Sequence, residues 1–514
     1  MIGARRRALA AFAAAALVLT ACAPEPDPQW QPQAWPESGR LVEALPAGST
    51  SPPAAGEAAA IGQRIRNDAT GIDARWAALP GGHAVNEAIE EIVRRAIEAQ
   101  SSLSGQAYRP QAQDPGAGFA SRGCEAGAST RAAGAVLGAG DAPRTVVVCE
   151  IVHAAGTLWG QSVRIVTGVG GVVTSDTTTT LYADVASGDV VDGSEILGDA
   201  AGLWIDVVGM LRRQAGSLST APVTAPDEAQ RALLRRAVAD AVVADRELVL
   251  PLPSGFSARE LEGLARWRVP DADHPVSVAL PAEIYTPLLT PFGRRLLADA
   301  GPFVGAGSRG AGFERVPCDL VPCMAMTLDD GPGGLTGGIL DALRERGMAA
   351  TFYMLGQNAA RHPDLVRRVA AEGHQVGNHT WNHPRLPMLD DAGIGEQLAD
   401  TAALLRQLSG QPVSTFRPPY GDVDQRVLRV AGQPAIMWSI DTRDWEGAED
   451  ATLAQYTVSA PRPGSIVLMH DIQAVTARVL PGILDGLLDR GFTLVTVEQL
   501  FGGAVPGGMV RSAR

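Results

Sequence analysis

The sequence predicts an α/β protein in which a distorted (β/α) barrel fills the C-terminal part and an α+β domain precedes it. Three observations carry this expectation. Past residue 321, short apolar β-type runs alternate with helical stretches, the pattern of parallel βαβ units. Between residues 61 and 310, a helical period is followed by long β-rich runs joined by a glycine pair, which reads as an antiparallel hairpin beside helices. The length of 514 residues also exceeds what one domain normally uses.

The chain opens with Arg5-Arg6-Arg7, an apolar run over 8–19 and Leu19-Thr20-Ala21-Cys22. A basic start and an apolar run too short for a comfortable membrane span fit an export signal. Small residues ahead of Cys22 resemble the bacterial lipoprotein cleavage site. Residues 1–22 are therefore expected to be a lipoprotein signal peptide, with Cys22 as the lipidated first residue. This would hold the protein on the outer face of the membrane, or release it outside if the lipid site is not used. Residues 23–60, rich in Pro, Ala, Gly and Glu, read as a flexible tether.

Composition narrows the chemistry. With 46% hydrophobic and 19% charged residues, most of the chain should fold. A net charge of −13 and no basic block beyond the three leading arginines disfavour nucleic acid as a partner. All 43 basic residues are Arg, which excludes Schiff-base chemistry, a P-loop lysine and a lysine base. Of five cysteines, four remain beyond Cys22: Cys124, Cys149, Cys318 and Cys323. An oxidising compartment lets them pair, and local pairing of Cys124 with Cys149 and of Cys318 with Cys323 is the simplest of three connectivities. Their spacing does not suit structural zinc.

Over 83–100 the apolar residues Val85, Ile89, Ile92, Val93, Ala96 and Ile97 recur at helical spacing. The runs 162–169 and 172–185 flank Gly170-Gly171, a hairpin signal, and Ser187-Gly188 marks another turn before Val190-Val191. A helical pattern returns over 227–250. Residues 61–310 thus read as one α+β domain, in which His83, His153 and His274 have no ligand-like spacing.

In the last part, strand-like runs fall at 323–328, 350–355, 374–377, 413–416, 435–440, 465–469 and 493–497. Helical stretches include 335–346, 364–372 and 391–408. Seven such units suit a closed or nearly closed parallel barrel, whose chemistry gathers at the C-terminal strand ends. Five polar motifs lie in this region: Thr327-Leu328-Asp329-Asp330-Gly331, His379-Thr380-Trp381-Asn382-His383, Arg417-Pro418-Pro419-Tyr420-Gly421, Asp441-Thr442-Arg443-Asp444-Trp445 and Leu468-Met469-His470. His379 and His383, four residues apart, can meet one ion. Each motif alone is also compatible with a turn or a surface helix. Together they supply a metal site, a base, an acid and a charged orienting group, which suffices for metal-assisted hydrolysis.

This ordered set resembles the NodB-homology polysaccharide deacetylases, carbohydrate esterase family four, over residues 318–505. The resemblance implies that Asp330, His379 and His383 bind a divalent metal, usually Zn2+ and in some members another transition ion. It implies Asp329 as general base, Arg417 as its charged partner, His470 as general acid and Asp441 as the group that orients His470. The backbone amide of Tyr420 would share the oxyanion, and Trp445 and Leu468 would wall the acetyl pocket. Leu328 departs from the phenylalanine usual in the family, a difference expected to concern packing. Residues 61–310 in turn resemble the extracytoplasmic domain of RsiV-like anti-sigma factors, through the order of helix, hairpin, Leu181-Tyr182-Ala183-Asp184-Val185-Ala186-Ser187-Gly188-Asp189 and a later helix-rich part. The resemblance implies removal of N-acetyl groups from an acetylated cell-wall glycan, with peptidoglycan favoured by the expected location. Chitin, poly-N-acetylglucosamine and O-acetylated xylan are the alternatives, and a surface sensor or wall-binding protein is the alternative from another class. Neither the oligomeric state nor the acetylated sugar is legible.

Overall fold

A computed structural model describes residues 41–42, 60–198, 202–244, 247–271, 274–299, 301–305 and 310–513. The expected export signal, Cys22 and almost all of the expected tether lie outside these residues.

Among the described residues, two sheets precede residue 310. Strand β1 (Leu41–Val42) pairs into the second of them. The first runs in the order β2 (Ile61–Asn67), β3 (Ile72–Ala78), β4 (Arg144–Ala155), β5 (Leu158–Val169), β6 (Val172–Asp184) and β7 (Asp189–Asp192). All its pairs are antiparallel except β3 with β4, and the helix Ala84–Ser104 lies in the crossover that parallel pairing demands. That helix buries Val85, Ile89, Val93, Ala96 and Ile97, the stripe set by its 3.6-residue period, and stops at Gly105 in the left-handed conformation. The β5–β6 hairpin turns through Gly170 and Gly171, whose φ values of 59° and 74° are those a tight right-twisted hairpin needs.

The second sheet has the order β1, β10 (Val276–Leu280), β9 (Glu247–Leu252) and β8 (Val242–Ala244). Here the helical expectation for 227–250 holds only as far as Ala239. An Asp227/Gln230 capping box starts the helix Glu228–Ala239, and the β-branched Val242, Val243 and Val249 then enter the β8–β9 hairpin. Among the described residues of 61–310, the two largest apolar clusters are distinct. One joins Trp204, Val207 and Leu211 of the helix Leu203–Gln214 to Leu248, Val278 and Tyr182. The other begins at Ile65, Trp76 and Val93 and continues through Leu320 and Val321 to Ala325, Tyr353 and Ile466. Leu320 and Val321 are thus buried in this core, within a short segment closed by a Cys318–Cys323 disulfide, and Cys124 is bonded to Cys149.

The last part is built on parallel strands: β11 (Cys323–Asp329), β12 (Thr351–Met354), β13 (Gln375–Asn378), β14 (Ala435–Ile436), β15 (Ile440–Asp441), β16 (Ile466–His470), β17 (Thr493–Val495) and β18 (Met509–Val510). Their order is β13, β12, β11, β16, β15, with β17 on the first half of β11. Beyond β13 the round continues through single parallel bridges from Asn378 to Phe416 and from Phe416 to Ala435. The expected strand over 413–416 is therefore one bridging residue, and the expected strand over 435–440 is broken into β14 and β15. Three residues, Met437 to Ser439, carry the chain from one broken half to the other. This covalent link, in place of a continuous ladder, is what distorts the barrel. Strand β18, which pairs with β14, lies past the expected boundary at 505.

Alternation along β11 sets the site. Met324, Met326 and Leu328 face outward onto helix residues Ile339, Leu343, Leu480 and Leu484, so Ala325, Thr327 and Asp329 face inward. Leu328 therefore belongs to the packing of strand on helix, away from the inward polar groups.

Candidate active site

The inward residues of the barrel form one hydrogen-bonded system around a buried guanidinium. Arg417 is wholly buried directly after the bridging Phe416. Its Nη1 donates to Asp329 Oδ1 at 2.9 Å and to Thr327 Oγ1 at 2.6 Å. Its Nε donates to the Ile436 carbonyl at 2.8 Å and its Nη2 to the Met437 carbonyl at 3.1 Å. The guanidinium also lies 4.4 Å from the centre of the Tyr353 ring. Burying an unpaired carboxylate and an unpaired guanidinium separately would be prohibitive, and this arrangement compensates both. Asp329 keeps Oδ2 on the other side, 3.7 Å from His379 Nε2.

His379 follows β13 and is buried; its Nδ1 lies 2.7 Å from the Arg417 carbonyl oxygen. That bond places the ring proton on Nδ1 and leaves the Nε2 lone pair for the site. Nε2 of His379 and Nε2 of His383 each sit 3.4 Å from Asp330 Oδ1. Ligand atoms of Asp330, His379 and His383 all lie within 4.8 Å of one another, and the buried Asp330 Oδ1 has no hydrogen-bond partner. An orphaned carboxylate oxygen facing two imidazole nitrogens is the donor set of a divalent transition metal with open positions, so the residues present fit such an ion. Burial works against the charge on Asp330, but His379 and His383 hold its carboxyl below the usual range.

His470 ends β16. Its Nδ1 lies 2.7 Å from Asp444 Oδ1, and its backbone N–H donates to Asp444 Oδ2 at 2.8 Å. Thr476 Oγ1 donates to the same carboxylate, which is buried. Burial alone would lower the imidazole pKa, but the Asp444 hydrogen bond, with Asp329 and Asp330 nearby, raises it to about 9. The expectation that Asp441 orients His470 is corrected here. Asp441 Oδ1 instead accepts the backbone N–H of Arg443 at 3.0 Å, which stabilises the turn that delivers Asp444. The signal was present in the motif, because both aspartates stand within four residues, but choosing between them needed the turn geometry.

Of the remaining expected residues, Leu468 is buried opposite Thr327, while Trp445 and Tyr420 are more than half exposed at the rim. The Tyr420 ring meets His383 edge-on at 4.5 Å, and the Arg385 guanidinium lies 4.5 Å from its centre. The backbone N–H of Tyr420 donates to no group among the described residues.

Strain marks the same place. Among the described residues, the non-glycine positions with positive φ are Asp330 (73°), Thr380 (70°), His383 (67°), Tyr420 (60°) and Arg443 (54°). Left-handed backbone at such residues costs about 1 to 2 kcal/mol each. Surrounding bonds hold it: Asn358 Nδ2 donates to the Asp330 carbonyl at 2.7 Å, and His383 N–H donates to Thr380 Oγ1 at 3.1 Å. Beneath them lies buried Asp471, a residue the sequence reading missed. Its Oδ2 accepts from Thr336, a Cβ on Gly331 would come within 2.1 Å of that oxygen, and burial pushes its pKa up to about 7.

Comparison with known proteins gives a consistent picture. The family described as Polysaccharide deacetylase matches residues 318–436. The peptidoglycan-N-acetylglucosamine deacetylase PgdA of Listeria monocytogenes is 38% identical over 180 residues, which are 35% of this chain and 39% of that protein. The peptidoglycan-N-acetylglucosamine deacetylase of Bacillus cereus is 35% identical over 186 residues, 35% of this chain and 68% of its own length. A chitooligosaccharide deacetylase of Rhizobium leguminosarum is 37% identical over 193 residues, 34% of this chain and 89% of its own length.

Proposed function

We infer the reaction from one premise: the chain belongs to the polysaccharide deacetylase family. We propose that it is a metal-dependent hydrolase that removes N-acetyl groups from amino sugars of a cell-wall polysaccharide, and that peptidoglycan is the polymer. One observation supports this above the rest: Asp330 Oδ1 faces both imidazoles at 3.4 Å, while Arg417 holds Asp329 and Asp444 holds His470 around it.

An amide resists hydrolysis because its carbonyl is a poor electrophile and its leaving amine is strongly basic. A divalent cation held by Asp330, His379 and His383, with zinc as the proposed ion, supplies Lewis-acid polarisation and makes water more acidic. The chain's own groups do the rest. Asp329, anchored through Oδ1 by Arg417, is the base that takes a proton from water, and the anchoring fixes the direction of its free oxygen. The uncommitted N–H of Tyr420 is an oxyanion donor, a contribution on the order of 3 kcal/mol. His470 Nε2 carries the proton for the amine, because Asp444 keeps Nδ1 occupied and the ring cationic. Trp445 and Leu468 wall the acetyl pocket.

The relatives from Listeria and Bacillus named for peptidoglycan-N-acetylglucosamine support the choice of polymer, and so does the expected export of the chain. A lipidated Cys22 would then hold the enzyme at the outer face of the membrane. No helix among the described residues is long and apolar enough to cross a membrane. The test is acetate release from purified peptidoglycan, N-acetylglucosamine oligomers and acetylated xylan by the native chain, by metal-stripped protein and by Asp329→Asn. Release from peptidoglycan that is lost in both controls supports the proposal. Release confined to xylan would replace it with an esterase reading.

A further inference from the structure

Away from the barrel mouth, a cavity of about 380 Å³ lies where the six-stranded sheet meets the barrel. That is large enough to enclose a small ligand. Its walls include Gln63, Trp76, Leu79, Glu90, Val316 and Leu494. Leu494 pairs with Met324 near the start of β11, the end of the strand opposite Asp329, so the cavity is separate from the catalytic groups.

Gln63 and Trp76 stand directly opposite one another on β2 and β3, so their side chains share one face of the sheet. Their exposures are only 7% and 1%, yet Gln63 Oε1 and Trp76 Nε1 have no hydrogen-bond partner. Buried polar atoms are nearly always satisfied, so an orphan acceptor beside an orphan donor in the wall of one cavity calls for an explanation. Four charged groups of the wall are engaged: Glu90 is paired with Arg315, Arg346 with Asp485, and Glu314 accepts the N–H of Gly81. The unmet demand is therefore neutral. Trp76 lacks a carbonyl, Gln63 lacks an N–H, and Leu79, Val316 and Leu494 offer apolar surface between them. A secondary amide bearing a methyl group meets all three conditions.

We propose that this junction cavity is a second, non-catalytic binding site for the acetamido group of an amino sugar. The amide follows from the two orphan atoms, while its assignment to a sugar rests on the proposed glycan substrate. Trp76 Nε1 donates to the acetamido carbonyl and Gln63 Oε1 accepts its N–H.

The test is calorimetric titration of the full chain carrying Asp329→Asn, stripped of metal, with a trimer of N-acetylglucosamine, a trimer of glucosamine and a blocked N-acetyl amino-acid methylamide. The same titrations are run with Trp76→Phe, which keeps the ring shape but removes the donor, and with Gln63→Met, which removes the acceptor. The expected result is a binding event for the acetylated trimer that the glucosamine trimer lacks and that each substitution weakens about tenfold. Acetate release by otherwise native chains carrying either substitution should stay unchanged. Binding that ignores both substitutions overturns the site, and preference for the blocked methylamide overturns the sugar. Should the native chain release no acetate while Trp76-dependent binding persists, the catalytic reading fails and the cavity stands.

Discussion

Asp444 grips His470 twice, through Oδ1 at the ring nitrogen Nδ1 and through Oδ2 at the backbone N–H, 2.7 and 2.8 Å away. A carboxylate bound in this way fixes the imidazole's orientation, its tautomer and its charge together. Asp444→Asn should therefore lower kcat by about 10² to 10⁴ while substrate binding changes little. Asp441→Asn, whose amide oxygen still accepts the Arg443 N–H, should cost far less. Steady-state kinetics of the two variants side by side decide between the aspartates.

The acid form of His470 is the working form, and the native ring holds its proton up to about pH 9. Activity on an amide should thus fall as pH rises through that value. In Asp444→Asn the alkaline fall should move down toward the ordinary imidazole range near 6.5. A pH profile of kcat with an unmoved alkaline limb would contradict the assignment.

Among the described residues, Arg417 is the guanidinium hydrogen-bonded to Asp329, and both side chains are buried. Replacing it with Met leaves a buried carboxylate and two backbone carbonyls without their donor, so the loss of stability should be about 3 to 5 kcal/mol. Lys should not rescue it, because a point ammonium cannot reach acceptors that the planar fork serves in different directions. Denaturant titration of Arg417→Met and Arg417→Lys measures both effects.

Asp471 supplies a test of the ground beneath the metal site. Burial raises its folded pKa to about 7, above its value in the unfolded chain. The folded state therefore holds a proton that the unfolded state has lost, and stability should decline as pH rises between roughly 4 and 7. In metal-stripped protein, Asp471→Asn should match the native chain near pH 4 and exceed it above pH 7. Thermal melts across that range would show a gap between the two chains that does not change with pH if the carboxyl were ionised throughout.

Much of the barrel was legible because its strands are short apolar runs with a polar residue at the C-terminal end. Asp329, His379, Arg417, Asp441 and His470 could be placed at strand ends from that pattern, whereas the roles given to them, and Asp330 and His383 as metal ligands, came from the family resemblance. Less legible was anything decided by a few backbone angles. Arg443 at a φ of 54° reverses the chain so that Asp444, and not Asp441, meets the imidazole, and nothing in the residue types announces this. The stretch from Ala435 to Asp441 reads as one strand because its side chains are apolar, but the barrel has to close there and the strand breaks in two. Over 227–250 the helical period extended past Ala239 by coincidence of apolar spacing, and β-branched valines took the chain into a hairpin. The orphan atoms of Gln63 and Trp76 were invisible, since only packing shows that they lack partners.

The central claim is that Asp330, His379 and His383 converge on one cation. Elemental analysis of the purified chain, metal-stripped and then reloaded with zinc before exhaustive dialysis, tests it most directly. One equivalent retained per chain, falling to a small fraction in His379→Ala and in Asp330→Ala with the fold intact, is the predicted result. A native chain that retains no divalent ion, or variants that retain as much as the native chain, would contradict it.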